Sequence, residues 1–169
     1  AAALAALAVG ATPEGCRAGA RRYEPLPHRL EPVTERDGVL MVNDSVCTTP
    51  VAAAAAVRSY ERPVILLVGG RDKGLDWAPL VEAAAEARGV IAYGETGPAL
   101  AARIPGAHLA EGLEEAVARA RELALPGEVV LLSPGFASYD QFPSFDKRGE
   151  RFRDLALDPL GRAADAPDN

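Results

Sequence analysis

The chain has 169 residues, enough for one domain of ordinary size. Its formal charge of −6 reflects 18 basic against 24 acidic residues with no dominant basic stretch, which argues against a nucleic-acid or membrane-surface role. Hydrophobic residues make up 49% and aromatic residues only 5%, so a packed core is expected and must be built mainly from Ala, Leu and Val.

Residues 2–9 read as a helix stopped by Gly10, too short to span a bilayer and without the basic leader of a signal peptide. They read better as the tail of a helix that begins upstream. Thr12-Pro13-Glu14 opens a second helix reaching residue 23, with Thr as N-cap, Pro at the first helical position and an acid in the first turn. The Pro25-Leu26-Pro27 stretch is a joint between domains, because two short helices cannot bury a core alone. The expected division is residues 1–24 as the end of a preceding domain, residues 25–157 as the main domain, and a polar tail over 158–169.

Strands over 30–34 and 39–43 are separated by Arg36-Asp37-Gly38, whose Asp-Gly pair signals a hairpin turn. Thr49-Pro50 starts an Ala-rich helix over 51–60. Residues 64–68 are continuously apolar, as in a strand covered on both faces. Helices are predicted over 76–87, 98–103, 113–125 and 145–155, and strands over 90–93, 107–109 and 129–132. The alternation from residue 39 onward specifies an α/β fold with a mostly parallel sheet and helices on both faces. Ligands bind such sheets beyond the C-terminal ends of the strands.

Three of those strand-end loops carry unusual chemistry. Residues 43–50, Asn-Asp-Ser-Val-Cys-Thr-Thr-Pro, gather an acid and several hydroxyls at a helix entrance, although simple N-capping by Thr49 accounts for them equally well. Gly69-Gly70-Arg71-Asp72-Lys73-Gly74 offers glycines for close backbone approach and one of only two lysines in the chain; a tight turn with solvated charges is the plainer reading. It is not a phosphate loop, since GxxxxGK[ST] occurs nowhere in the sequence. Residues 133–149 hold three of the four Phe, with Tyr139, Ser138 and Arg148, and suggest a shaped pocket rather than a spacer. Converging on one side of the sheet, a lone lysine, hydroxyls and free loop amides suit a carboxylate. His28 and His108 are the only histidines, so no Ser–His–Asp arrangement is available, and Cys16 with Cys47 fit neither a disulfide framework nor a zinc site, leaving a reduced, cytoplasmic setting as the default.

Together the segments LPHRLE, NDSVCTTP, GGRDKG and LLSPGFASYDQFPSFDKRGERF, in this order, resemble the C-terminal region of the Mur ligase family, in the branch that adds D-glutamate; the resemblance covers roughly residues 3–156. It implies a Rossmann-like domain that brings in the amino acid, preceded by two short helices from the end of a central ATP-holding domain, with the phosphate loop and a UDP-sugar-binding domain lying upstream. The implied activity is ATP-dependent amide formation in peptidoglycan precursor synthesis, hence in cell-wall biogenesis, cell shape and division. UDP-N-acetylmuramoyl-L-alanine is the acceptor, ATP and Mg2+ are held mainly by the central domain, and the mechanism passes through an acyl phosphate. By position, Thr48, Lys73, Ser138, Tyr139 and Phe145 match residues that hold D-glutamate, while Arg29, Asp44 and His28 match residues at the nucleotide cleft. No catalytic residue and no metal ligand is implied within this chain, which is expected to be inactive alone. The implied partners are D-glutamate, ATP, the UDP-sugar substrate and the chain's own N-terminal and central domains, with no nucleic acid or membrane, in a cytoplasmic monomer. Where the family carries Lys-Ala-Thr-Asn, this chain has Val46-Cys47-Thr48-Thr49; where it carries Ala-Cys-Ala-Ser, this chain has Gly135-Phe136-Ala137-Ser138. Another Mur-type or folylpolyglutamate-type ligase, or a non-catalytic ligand-binding α/β module, stays open as an alternative.

Overall fold

The computed structural model describes residues 2–22 and 26–158. The start of the expected joint, Pro25, and all but the first residue of the expected tail lie outside the described residues. Helices α1 (Ala2–Ala8) and α2 (Pro13–Arg22) come first and bury no residue. The Thr12 hydroxyl accepts the Gly15 N–H at 3.0 Å, so Thr12 caps α2 as its position suggests.

The main body is a six-stranded sheet of β1 (Glu31–Arg36), β2 (Val39–Asn43), β3 (Val64–Gly69), β4 (Gly89–Tyr93), β5 (His108–Ala110) and β6 (Val129–Gly135). Their order is β1-β2-β6-β3-β4-β5, and all neighbours are parallel except β1 and β2. The β1–β2 hairpin turns at Asp37 and Gly38 with φ of 52° and 77°. Positive φ at both central residues matches the strand twist, the reason for an Asp-Gly pair there.

The two-residue period of the strands sorts their side chains into two cores. Val64, Leu66, Val68, Val129 and Leu131 face the side covered by α3 (Pro50–Val57), α4 (Ala78–Ala84) and α5 (Gly97–Arg103). Ile65, Leu67, Val130 and Leu132 face α6 (Leu113–Leu123) and α7 (Phe145–Leu157). Because α3, α4 and α5 lie on one face and α6 and α7 on the other, the chain paths leaving β3 and β6 diverge. In doubly wound sheets, ligands bind beyond the C-terminal ends of strands at such a switch point.

Several boundaries differ from the sequence reading, and for two the local bonding gives the reason. The last strand runs on to Gly135, so Ser133, Pro134 and Gly135 are strand rather than loop. The ladder shifts register between Leu67 and Gly69 before Gly69 pairs with Gly135, and this irregularity accommodates a proline that has no N–H to give. The fourth helix starts at Ala78 rather than Asp76, because the Asp76 carboxylate accepts the Ala78 N–H at 3.0 Å from outside the helix.

Candidate functional site

The loops leaving β2, β3, β4 and β6 are bonded to one another. Arg71 and Ala137 exchange both backbone bonds, at 2.8 and 3.1 Å. Gly135 N–H donates to the Cys47 carbonyl at 3.1 Å, and Thr96 N–H to the Gly70 carbonyl at 3.1 Å. The Asp140 carboxylate accepts the Glu95 N–H at 3.0 Å. The Gly69-Gly70 pair is required by the close packing of these loops. A Cβ would stand 2.0 Å from the Tyr93 carbonyl oxygen at Gly69 and 2.2 Å from that of Ala137 at Gly70. With φ of 144° and 134° both positions also exclude other residues sterically.

On this frame the Lys73 ammonium donates to the Thr48 hydroxyl at 3.0 Å, uniting the loops after β2 and β3. Lys147 pairs with Glu150 at 2.7 Å, whereas Lys73 is in no ion pair among the described residues and is exposed. The turn around it is held by Asp72, whose carboxylate accepts the Gly74 N–H at 3.0 Å and the Trp77 indole N–H at 3.2 Å. Ser138 follows the Arg71–Ala137 bridge directly and is buried, its carbonyl accepting from Gln141 and Phe142. Tyr139 is 64% exposed. Phe145 opens α7, which Ser144 caps by accepting the Lys147 N–H at 3.2 Å. Phe136 is buried edge-on against Trp77 at 5.0 Å, and Arg103 lies 4.5 Å over the Trp77 ring.

A groove of ≈ 410 Å³ runs beside this pair, lined among others by Arg29, Asp44, Val46, Thr48 and Thr49. Asp44 is buried, and both oxygens are engaged: one accepts the Leu30 N–H at 3.1 Å, the other the Ser133 hydroxyl at 2.8 Å. Burial raises its carboxyl above the ordinary value, opposed by the Ser133 and Leu30 hydrogen bonds and the charge of Arg29. Burial likewise pushes the Cys47 thiol up to about 11. Thr49 occupies the N-cap position of α3 without a side-chain bond to the helix, so capping does not explain its hydroxyl.

His28 does not line this groove. It is buried with φ of 60°, its Nδ1 accepting from the Asn43 side-chain amide at 2.9 Å, and its ring lies against the backbone of Gly149. His108 is exposed at the start of β5. Asn43 and Arg148, which the sequence places in the first and third strand-end loops without a specific role, are supports of the site. Asn43 donates to the Gly149 carbonyl at 3.1 Å, and Arg148 is wholly buried among backbone oxygens. The signal for Arg148 was its helical spacing with Phe145, Gly149 and Phe152, which places it on the inward face of α7. Among the described residues no group of three or more His, Cys, Asp or Glu is arranged to hold a metal ion. No described helix is long and apolar enough to cross a membrane.

These features define a doubly wound α/β domain with its polar loops gathered at the switch point of the sheet. The sequence pattern of the family described as "Mur ligase, glutamate ligase domain" matches residues 28–136, and the chain belongs to that family. It is 45% identical over 159 residues to the UDP-N-acetylmuramoylalanine--D-glutamate ligase of Myxococcus xanthus, covering 92% of this chain and 35% of that protein. To the protein of the same name from Pelotomaculum thermopropionicum it is 40% identical over 163 residues, covering 93% and 36%. The chain thus spans about a third of the length of the curated relatives it matches. Among solved structures, a bifunctional folylpolyglutamate synthase/dihydrofolate synthase from Yersinia pestis, complexed with AMPPNP and Mn ion, shares the fold. Its TM-score is 0.59 at 21% identity, covering 86% of this chain and 35% of that one.

Proposed function

We propose that this chain is the amino-acid-binding part of an ATP-dependent ligase that joins D-glutamate to UDP-N-acetylmuramoyl-L-alanine in cytoplasmic peptidoglycan precursor synthesis. The observation that carries this reading is the Lys73–Thr48 contact beyond the C-terminal ends of β2 and β3, made by a lysine with no carboxylate partner among the described residues. An unneutralised ammonium beside a hydroxyl is a ready site for one carboxylate of a dianionic amino acid. Ser138 and the backbone at Tyr139 and Phe145 would hold the other. The name shared by relatives 40–45% identical over most of the chain supports glutamate as that amino acid.

The ligase reaction converts the acceptor carboxylate to an acyl phosphate, which the amine of D-glutamate attacks through a tetrahedral intermediate; ADP and phosphate leave. The contribution of this chain is placement: with both carboxylates held, the amine is the free nucleophilic end of the amino acid. Arg29 at the rim of the groove would meet nucleotide phosphate. Asp44 has both oxygens occupied within the domain, yet each keeps a lone pair that can accept from a ribose hydroxyl. His28 supports this region from behind. Magnesium has no ligand cluster among the described residues, and its neutralisation of phosphate charge belongs to a central domain. In this reading residues 1–24 end that domain, residues 25–157 form the amino-acid domain and residues 158–169 are a tail.

The test is ADP release by a polypeptide that includes the upstream domains, supplied with ATP and acceptor and offered D-glutamate, L-glutamate, D-alanine, meso-diaminopimelate or L-lysine. Release with D-glutamate alone is expected. Lys73→Ala should raise the KM for D-glutamate at least about tenfold, since a charge-assisted contact contributes about 1.5–3 kcal/mol. Release with meso-diaminopimelate or L-lysine instead, or an unchanged KM, sinks the assignment.

A further inference from the structure

Arg148 is 1% exposed, and no ion pair joins it to a carboxylate among the described residues. Its donors go instead to the loops that build the site. Nε donates to the Ser45 hydroxyl at 3.0 Å and Nη2 to the Ser45 carbonyl at 2.9 Å, while Nη1 and Nη2 each reach the Phe136 carbonyl at 3.2 Å. Ser45 passes the connection on, its hydroxyl donating to the Phe145 carbonyl at 2.7 Å. One guanidinium therefore sets the spacing of three segments: the loop after β2 that carries Thr48, the loop after β6 that carries Ser138, and the first turn of α7 at Phe145.

We propose that Arg148 is the positioning residue of the carboxylate site, its planar fork holding the Thr48, Ser138 and Phe145 segments at the separation a dianionic amino acid requires. Burying a cation against neutral oxygens costs desolvation, which an apolar side chain in the same place would avoid. The geometry requires arginine in particular. Two carbonyls and a hydroxyl around one plane match a rigid fork of donors, and a lysine ammonium offers no such plane. The neighbouring Gly149 fits the same arrangement, because a Cβ there would stand 2.2 Å from His28 Nδ1 and push α7 off the loops that Arg148 gathers.

The ligand rests on the D-glutamate reading above; the positioning itself does not, and the test separates them. The 15N-labelled chain is compared with Arg148→Lys, Arg148→Met and Ser45→Ala. Without ligand, Arg148→Lys is expected to move the amide resonances of Thr48, Ser138 and Phe145 and to leave those of β5 and α5 in place, with the dispersion of a folded chain. On titration with D-glutamate both Arg148 variants should bind about tenfold more weakly than the wild-type chain, and Ser45→Ala about threefold more weakly. Unmoved amides at Thr48, Ser138 and Phe145 in a folded Arg148→Lys chain overturn the proposal. So does wild-type affinity in Arg148→Lys beside a weakened Arg148→Met, which would assign the effect to charge alone. If both Arg148 variants unfold, Ser45→Ala decides, because it cuts the relay to Phe145 while leaving the guanidinium its three carbonyl bonds. An unmoved Phe145 amide there overturns the proposal. A wild-type chain that does not respond to D-glutamate removes the D-glutamate reading and leaves the ligand-free spectra to judge Arg148.

Discussion

At the residue scale, Asp44 shows how one carboxylate can anchor a fold and line a groove at once. Its oxygens tie the backbone at Leu30 and the Ser133 hydroxyl to the end of β2. Because burial raises its folded-state pKa, its favourable contribution is fully present below the unfolded value and is lost as pH rises through the folded one. Ionised Asp44 is therefore under electrostatic strain at neutral pH. Asp44→Asn keeps an acceptor for Leu30 and removes the buried charge, so its stability at pH 7 should equal or exceed that of the parent chain. The advantage should shrink as the pH falls into the carboxylate range. Asp44→Ala leaves the Leu30 N–H and Ser133 without their partner and should lose about 1–3 kcal/mol. Urea unfolding of the three chains at pH 7 and at acidic pH measures both effects; an Asp44→Asn chain as weak as Asp44→Ala would contradict this account. The motif around Asp44 was legible in the sequence, but its double engagement was not, since Ser133 lies 89 positions away.

At the element scale, α7 carries a glycine in its interior, which costs about 1 kcal/mol relative to alanine in an unconstrained helix. Helical propensity alone predicts that Gly149→Ala stabilises the chain. The His28 ring, held by Asn43, occupies the space a Cβ would need. Gly149→Ala should therefore destabilise by about 1–3 kcal/mol, the range of an overpacked core. In a His28→Ala background the same change should cost much less or reverse sign, and a thermal-denaturation cycle over the four chains gives the coupling. Additive effects would show that the helix simply slides aside. The Glu31–Arg153 ion pair joins the same two segments, the entry to β1 and the body of α7. This scale also explains the misread strand end. Ser-Pro-Gly reads locally as a turn, and it joins the sheet through its neighbours, with Gly135 pairing with Gly69 of β3 and donating to the Cys47 carbonyl.

For the whole molecule, two cores share one sheet and the leading helices share neither. Both α1 and α2 lack buried residues, and Leu4 and Val9 are 73% and 87% exposed. Removing residues 1–24 should leave the thermal midpoint of the remaining chain within about 2 °C, a shift smaller than loss of 1 kcal/mol would produce. The 169-residue chain supplied with ATP, acceptor and D-glutamate should fold cooperatively and form no ADP, because no GxxxxGK[ST] cradle occurs in it. Calorimetry and a coupled ADP assay check the two halves; measurable turnover would refute the division of labour proposed here.

The amino-acid sequence by itself determined the α/β class, the parallel strands, the Asp-Gly hairpin and the three polar strand-end loops. Those follow from periodicity, turn chemistry and uninterrupted apolar runs, all of which are local. Only the tertiary structure decided that Lys73 meets Thr48, that the paired glycines lie against the Tyr93 and Ala137 carbonyls, and that His28 faces inward while Arg148 binds the loops together. Each of these depends on contacts between segments separated in the chain, by up to more than 100 residues. Their geometry is set by how the sheet orders its strands, which no local pattern specifies.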